Sequence, residues 1–121
     1  MMDRRRLLAA LFAAVAAPAI AGMSPAEKAR IDRLIQFVES RKDVKFVRNG
    51  SVYSSADAAK FLRGKFDKMG EHVNTAQEFI EQIAAKSSTS GQAYLIRFAD
   101  GHSEPSAKFL GEELQRMDSG K

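Results

Sequence analysis

The chain has 121 residues, no cysteine, and a formal net charge of +4 at neutral pH. A chain of this length forms one domain with a modest apolar core. The absence of cysteine excludes disulfides, thiol chemistry, iron–sulfur clusters and cysteine-ligated zinc. The basic residues are interspersed with acidic ones and form no run in the body of the chain, which argues against nucleic-acid binding.

The first 21 residues have the pattern of a secretory signal peptide. Three arginines precede an apolar run over 7–20, and Ala19-Ile20-Ala21 has the small-x-small pattern of a cleavage site. The run is shorter than the ~20 residues of a spanning helix, which disfavours the alternative of an uncleaved anchor. We predict cleavage after Ala21, which removes three Arg and one Asp, lowers the net charge to +2 and leaves one exported domain over 22–121. The general secretory route is favoured, and the Arg4-Arg5 pair leaves twin-arginine export open.

The first predicted helix opens at Ser24-Pro25-Ala26-Glu27, where serine caps the helix and glutamate completes a capping box. Its apolar stripe predicts an end near Ser40 or Arg41. The next segment, 44–53, predicts a hairpin closed by an Asn49-Gly50 type I′ turn. In that register Arg48 lies opposite Ser51 and Phe46 lies opposite Tyr53.

Two more helices are predicted in the middle of the chain. Ser54 or Ser55 caps the second helix, and Gly70 ends it in the left-handed conformation. Thr75-Ala76-Gln77-Glu78 is a capping box that opens the third helix. The inward residues are expected to be Ala59, Leu62, Phe66 and Met69 in the second helix and Phe79, Ile80, Ile83 and Ala84 in the third.

The strongest strand pattern covers residues 93–98 and follows a Ser/Gly-rich loop at 87–91. An Asp100-Gly101 turn and a short return strand at 102–104 complete a second hairpin. Ser103 or Ser106 is expected to cap a final helix. Its inward residues are expected to be Phe109, Leu110, Leu114 and Met117.

These elements predict an α+β fold with about four helices around a small antiparallel sheet built from two hairpins. The two turns also suggest a duplicated helix–hairpin–helix unit. The residues Lys60-Phe61-Leu62 after the first turn parallel Lys108-Phe109-Leu110 after the second. The overlay leaves three extra residues in the first half and strands that are out of phase. Since short patterns also recur by chance, duplication is one of two open interpretations.

Four segments carry a resemblance to a known family. They are FVRNGSVYS at 46–54, TAQEFI at 75–80, KSSTSGQAYLIRFADG at 86–101 and PSAKFL at 105–110. In these segments the chain resembles the YfeK-like family of small, exported, uncharacterised proteins of Gram-negative envelopes. The resemblance implies a periplasmic location and a single domain of unknown function. It assigns no catalytic residue.

Polar residues gather at the two turns and the serine-rich loop. The predicted ligand-binding residues are Arg48, Asn49, Tyr53, Ser88, Arg97 and Asp100. We expect them to lie in one surface region, and the residues around the first turn suggest a polar patch that binds an anion or a peptide. The competing interpretations are ordinary turn chemistry for Asn49, a flexible or capping loop around Ser88, and a solvated sheet face for Arg97.

The favoured function is a non-catalytic binding or accessory module of the cell envelope, with no cofactor or metal and an unknown envelope protein or small ligand as partner. The alternative is an envelope or cell-wall hydrolase that uses His72 or His102 as a base. The sequence has no G-x-S-x-G elbow to support it. A third hypothesis is a structural protein with an exposed apolar partner surface.

Overall fold

The computed structural model describes residues 22–120. The predicted signal peptide and its cleavage site lie outside the described residues, so their assignment stays a prediction. Within the described range, no helix is both long enough and apolar enough to cross a membrane.

The described chain contains four α-helices and four strands, which confirms the predicted α+β class. In chain order they are α1 (Pro25–Ser40), β1 (Lys45–Arg48), β2 (Ser51–Tyr53), α2 (Ser55–Met69), α3 (Ala76–Phe79), β3 (Leu95–Arg97), β4 (Ser103–Pro105) and α4 (Ser106–Asp118). A 3₁₀ turn, Gly70–His72, follows α2, and a π-helical segment, Ile80–Ala84, continues α3.

All strand pairs are antiparallel, and the strands are ordered β2-β1-β3-β4. The first hairpin has the predicted register, with Arg48 opposite Ser51 and Phe46 opposite Tyr53. Asn49 and Gly50 have φ angles of 50° and 82°, as a type I′ turn requires. The sequence therefore defined both the turn and the alignment of its strands.

The second hairpin has a longer loop than the first. The Phe98 backbone N–H donates to the His102 carbonyl at 2.9 Å, which leaves residues 99–101 as the loop. Gly101 takes the left-handed conformation with φ 96°. The return strand includes Pro105, which an edge strand tolerates because it needs no inward N–H donor.

Each half of the described chain reads helix, hairpin, helix, as the repeat predicted. The first strand of each hairpin lies in the centre of the sheet, and the second lies at an edge. This order is symmetric about the β1–β3 pair, in which Phe46 lies opposite Ile96. Common ancestry of the two halves stays a hypothesis.

The core lies between one face of the sheet and the helices. Phe46 and Ile96 supply its central sheet contacts and are 8% and 0% exposed. The helices contribute a set of almost fully buried side chains, which includes Ile31, Leu34, Ile35, Val38, Phe79, Ile80, Ile83 and Leu110. Removal of this apolar surface from water is the main stabilising term.

Two predicted capping boxes form only in part. The Ser24 hydroxyl accepts the Glu27 N–H at 3.2 Å, as predicted. The Glu27 carboxylate does not return to Ser24, because it accepts the Ala76 N–H at 2.8 Å and thereby joins α1 to the start of α3. Thr75 likewise accepts the Glu78 N–H, whereas Glu78 accepts the N–H of Asn74.

Two predicted features of α2 are wrong, although Ser54 caps the helix as expected. Gly70 ends the helix as predicted, but its φ is −88°, so it begins the 3₁₀ turn instead of adopting the left-handed conformation. A Cβ at Gly70 would lie 2.5 Å from Phe66 Cδ1, so packing requires the glycine. Met69 is 49% exposed, because the chain leaves the helical register there.

The predicted cap of α4 is also wrong. The N-cap residue is Pro105, which offers no side-chain hydrogen bond. Ser106 is the first helical residue, and its backbone N–H donates to the Tyr94 carbonyl at 2.8 Å. The sheet therefore satisfies an N–H group at the start of this helix.

Candidate functional site

The six predicted site residues divide between the two ends of the sheet. In the antiparallel β1–β3 pair, Arg97 lies opposite Lys45, at the end of β1 away from Arg48. Side chains alternate between sheet faces, so Arg48 shares the core face with Phe46, and Arg97 projects from the other face. The expectation of one common surface region is therefore wrong for Arg97 and for the neighbouring Asp100. Their binding role stays a prediction without a shared site.

The structure accounts for Asp100 by loop chemistry. Its carboxylate accepts the His102 backbone N–H at 3.0 Å and contacts Nδ1 of the same residue at 2.5 Å. The backbone hydrogen bond, followed by the imidazole contact, lowers the pKa of Asp100. The imidazole also stacks on Phe98, with ring centroids 4.5 Å apart.

This arrangement gives the hydrolase alternative no support. The His102 side chain is 58% exposed. Within residues 22–120, neither His102 nor His72 forms a hydrogen bond to a hydroxyl group. A serine nucleophile needs such a contact to its base.

The other four residues gather where the Asn49 turn meets α2 and the loop at 87–91. The Asn49 side chain connects the turn to this loop through both of its polar atoms. Its Nδ2 donates to Ser87 Oγ at 3.3 Å, and its Oδ1 accepts from Ser90 Oγ at 2.6 Å. Asn49 therefore has a structural role beyond the turn itself.

Ser87 organises this loop, and sequence reasoning missed it. The residue is 4% exposed. Its hydroxyl oxygen accepts the backbone N–H groups of Thr89 and Ser90 at 3.3 and 3.2 Å. Its own backbone N–H donates to Gln92, and its carbonyl accepts from Gly91. The loop is thus a hydrogen-bonded turn and not a cap on the preceding helix.

Arg48 presents a guanidinium group with unused donors. Its Cζ lies 4.6 Å from the ring centroid of Phe61 and 5.6 Å from that of Tyr53. Such contacts stabilise the cation by about 0.5–2 kcal/mol each. The Nε atom is buried without a hydrogen-bond partner, and the guanidinium forms no ion pair within residues 22–120. The guanidinium therefore has no anionic partner among the described residues, although its geometry suits a carboxylate or a phosphate.

Lys65 lies beside Arg48 on the inner side of α2. It is 8% exposed, and its ammonium group donates to the Lys86 carbonyl and to the Tyr94 hydroxyl at 2.9 Å each. Burial, followed by the charge of Arg48, lowers the pKa of Lys65. Burial also raises the pKa of Tyr94, which keeps its phenol neutral. These contacts use two of the three ammonium donors, and the ammonium also lies 4.9 Å from the centroid of the Tyr94 ring.

These residues line a pocket of about 350 Å³, which we call the basic pocket. It contains four cationic side chains and no carboxylate. None of the four cations forms an ion pair with another described residue. The lining residues are Arg48, Lys60, Phe61, Gly64, Lys65, Lys68, Met69, Ser87, Ser88, Thr89 and Tyr94. This composition suits an anion, whereas the described residues hold no group of three side chains that could bind a metal.

Sequence reasoning found Arg48 and Ser88 but missed the other cations of the basic pocket. One signal was present for Lys65, which follows the buried Ala58 and Leu62 at helical spacing. A lysine on the apolar side of a helix needs a buried partner or a ligand. Lys60 and Lys68 are exposed and carry no comparable signal.

Fold and pocket together define a small α+β domain with a basic pocket between a hairpin turn, a helix and a serine-rich loop. The chain belongs to a family of unknown function, DUF5329, which matches residues 25–118. It is 35% identical over 77 residues to the uncharacterized protein YfeK of Salmonella typhimurium, and the alignment covers 64% of each chain. The chain thus spans less than two thirds of that relative's length. The resemblance to a YfeK-like family is confirmed, and no solved structure matches.

Proposed function

We propose that this protein is a non-catalytic binding module of the periplasm that holds an anionic component of the cell envelope in the basic pocket. The observation that carries the proposal is the pairing of Arg48 with Lys65. These two cations lie close enough for the charge of Arg48 to lower the pKa of Lys65, and neither has an acidic partner within residues 22–120. A bound anion would supply the missing counter-charge.

The energetics favour such an anion. A partly buried cation without a counter-ion is unfavourable, and a like charge beside it adds repulsion. An opposite unit charge at about 4 Å gains roughly 4 kcal/mol at an effective dielectric constant of 20, before its own desolvation. An anion that reaches both inner cations gains this attraction twice.

The periplasmic part of the proposal rests on the signal-peptide pattern and on the family resemblance. It is tested by expressing the full 121-residue sequence in a Gram-negative host and fractionating the cells. We expect the protein in the periplasmic fraction with Gly22 as its first residue, measured by mass spectrometry. Recovery of the uncleaved chain from the cytoplasm would contradict this part.

Binding is tested by calorimetric titration of the purified protein with pyrophosphate and citrate as probe anions. We expect the double variant Arg48→Met/Lys65→Met to lose at least tenfold in affinity. The matched control is Lys45→Met/Arg97→Met, which removes the same charge from the exposed opposite face of the sheet. Circular dichroism confirms that both variants fold.

Equal losses in the two double variants would show that affinity follows net charge alone and would refute the pocket. The non-catalytic part has its own readout. We expect mass spectrometry to recover pyrophosphate unchanged after prolonged incubation with the protein, and its hydrolysis would contradict this part.

A further inference from the structure

Building on the proposed function, we infer that the basic pocket recognises a phosphomonoester group attached to an organic moiety that covers the apolar wall of the pocket. Three features of the pocket support this ligand class: the number of inner charges, the kind of unused donors, and the space beyond them.

The charge count favours a dianion. Arg48 and Lys65 form an inner pair of cations, and Lys60 and Lys68 stand at the exposed rim. A phosphomonoester carries about −1.5 to −2 charges at pH 7. A carboxylate or a phosphodiester carries one, so either would leave half of the inner charge without a partner.

The unused donors fit a group with three terminal oxygens. Arg48 offers a planar fork, which matches two oxygens of one phosphate. Lys65 offers its third N–H. The hydroxyl of Ser88 has Met69 Sδ as its hydrogen-bond partner within residues 22–120, at 3.7 Å, and this is a weak contact that an anion can displace. A carboxylate would have to share two oxygens among these three sources, whereas a phosphate group has three.

The volume leaves room for more than the phosphate group. The volume of about 350 Å³ lies within the range of about 300–1,000 Å³ that is usual for pockets that bind small molecules, so the pocket can hold more than a phosphate group. Phe61, Met69 and Tyr94 present carbon surface in the same pocket. The rings of Phe61 and Tyr94 meet edge to face, with centroids 5.8 Å apart. A sugar ring or a glycerol backbone fits against this wall.

The inference is tested by titrating the protein, expressed from the full sequence, with glucose 6-phosphate, glucuronate and inorganic phosphate, followed by amide NMR shifts. We expect glucose 6-phosphate to bind at least tenfold more tightly than glucuronate, which has the same ring with a carboxylate. Inorganic phosphate should bind more weakly than glucose 6-phosphate, because it leaves the apolar wall uncovered. The shifts should map to residues 87–91 and to Arg48.

Two variations sharpen the test. Arg48→Lys keeps the charge and removes the planar fork, so it should weaken the binding of glucose 6-phosphate about tenfold. An unchanged affinity would contradict the role given to Arg48. Lowering the pH from 7 to 5 should weaken the binding of glucose 6-phosphate severalfold, because the second pKa of the phosphate group is about 6 and the ligand loses part of its charge. The titratable groups that line the pocket are Arg48, Lys60, Lys65, Lys68 and Tyr94, and they include no histidine or carboxylate, so this change reports the ligand.

A lipid source of the same chemistry is tested with phosphatidylcholine vesicles that contain phosphatidate. If the protein sediments with these vesicles but not with vesicles of phosphatidylcholine alone, the result supports a phosphomonoester ligand and assigns it to a lipid headgroup. Binding of glucose 6-phosphate without sedimentation supports it and assigns it to a soluble ligand. Equal affinity for glucuronate and glucose 6-phosphate overturns the inference but leaves anion binding intact. Failure of every anion to bind overturns the proposed function as well.

Discussion

Replacement of Ser87 by alanine tests whether one buried hydroxyl holds the loop that lines one side of the basic pocket. The Ser87 oxygen accepts three N–H donors, from the Thr89 and Ser90 backbone and from the Asn49 amide, at 3.2–3.3 Å. It also shares a hydrogen bond with the Thr89 hydroxyl at 3.1 Å. Ser87→Ala removes this acceptor and leaves all three donors to find other partners.

The size of the effect follows from the number and quality of these bonds. A protein hydrogen bond contributes about 0.5–1.5 kcal/mol net, so three of them bound the loss at roughly 1.5–4.5 kcal/mol. The lower part of this range applies, because the bonds are long and one hydroxyl oxygen has only two lone pairs for three donors. We expect Ser87→Ala to lower the free energy of unfolding by about 2 kcal/mol. For a domain of this size that corresponds to a Tm lower by about 8–16 °C.

The assay is urea and thermal unfolding of the variant and of wild type, with amide hydrogen exchange to localise the change. The matched control is Ser88→Ala at the neighbouring exposed position, whose hydroxyl makes only the weak sulfur contact. We expect this control to change stability by less than about 0.5 kcal/mol. If Ser87→Ala also stays within 0.5 kcal/mol, or if exchange at residues 88–91 is unchanged, the account of the loop is refuted.

Three further predictions test the burial or the titration of Lys65, Ile96 and Asp100. Burial lowers the pKa of Lys65 in the folded state, so the unfolded chain binds more protons between that lowered pKa and the ordinary value of about 10.4. The free energy of unfolding of wild type, relative to that of Lys65→Met, should therefore rise as the pH increases through this range. A difference in urea unfolding that does not change with pH would contradict this prediction. Ile96→Ala should lower the free energy of unfolding by about 2–5 kcal/mol, because Ile96 is fully buried. Val52→Ala on the outer sheet face should lower it by less than about 1 kcal/mol. Similar losses in the two variants would mean that the sheet faces are misassigned. The hydrogen bond from the His102 N–H lowers the pKa of Asp100 in the folded state. The stabilising contribution of the ionised Asp100 is therefore complete above the unfolded pKa of about 3.9, and it is lost as the pH falls through the lower pKa of the folded state. Asp100→Asn should therefore reduce the acid sensitivity of unfolding below pH 4, and an unchanged acid profile would argue against this contact.

Local sequence rules predicted much of the fold because the decisive contacts were local. Asn49-Gly50 determined the first turn, and the period-2 alternation around it determined the register. The errors arose where a distant contact replaced a local one. Glu27 bonds to Ala76 instead of closing its own capping box, and Ser106 bonds to Tyr94 instead of capping α4. Neither partner can be identified from sequence spacing.

The candidate site was less predictable because it depends on strand order. Arg97 and Asp100 were grouped with Arg48 on the basis of polarity near turns. The antiparallel pairing of β1 with β3 places the two turns at opposite ends of the sheet, and only the tertiary structure reveals that pairing. Ser87 and Lys65 converge on Arg48 from different segments, so no motif joins them in the sequence.

The second loop explains why the two halves of the sequence were out of phase. Aligning Asn49-Gly50 with Asp100-Gly101 assumes loops of equal length. The first loop has two residues, and the second has three, at 99–101. If Phe46 is instead aligned with Ile96, the central pair of the sheet, the strands of the two halves come into phase. Both residues of this pair face the core. The structure therefore removes one objection to the duplication hypothesis.

The same alignment shows that the four cations of the basic pocket belong to one half only. Arg48 and Phe98 both lie two residues beyond the central pair, so the position that holds a cation in the first half holds an aromatic ring in the second. The helix overlay pairs Lys65 with Glu113, and both side chains are 8% exposed. Glu113 is paired with Arg116, whereas Lys65 has no acidic partner within residues 22–120. Equivalent positions thus share burial but differ in charge and in pairing. A requirement of the fold alone would apply to both halves, so the difference in charge supports the ligand that we propose for the basic pocket.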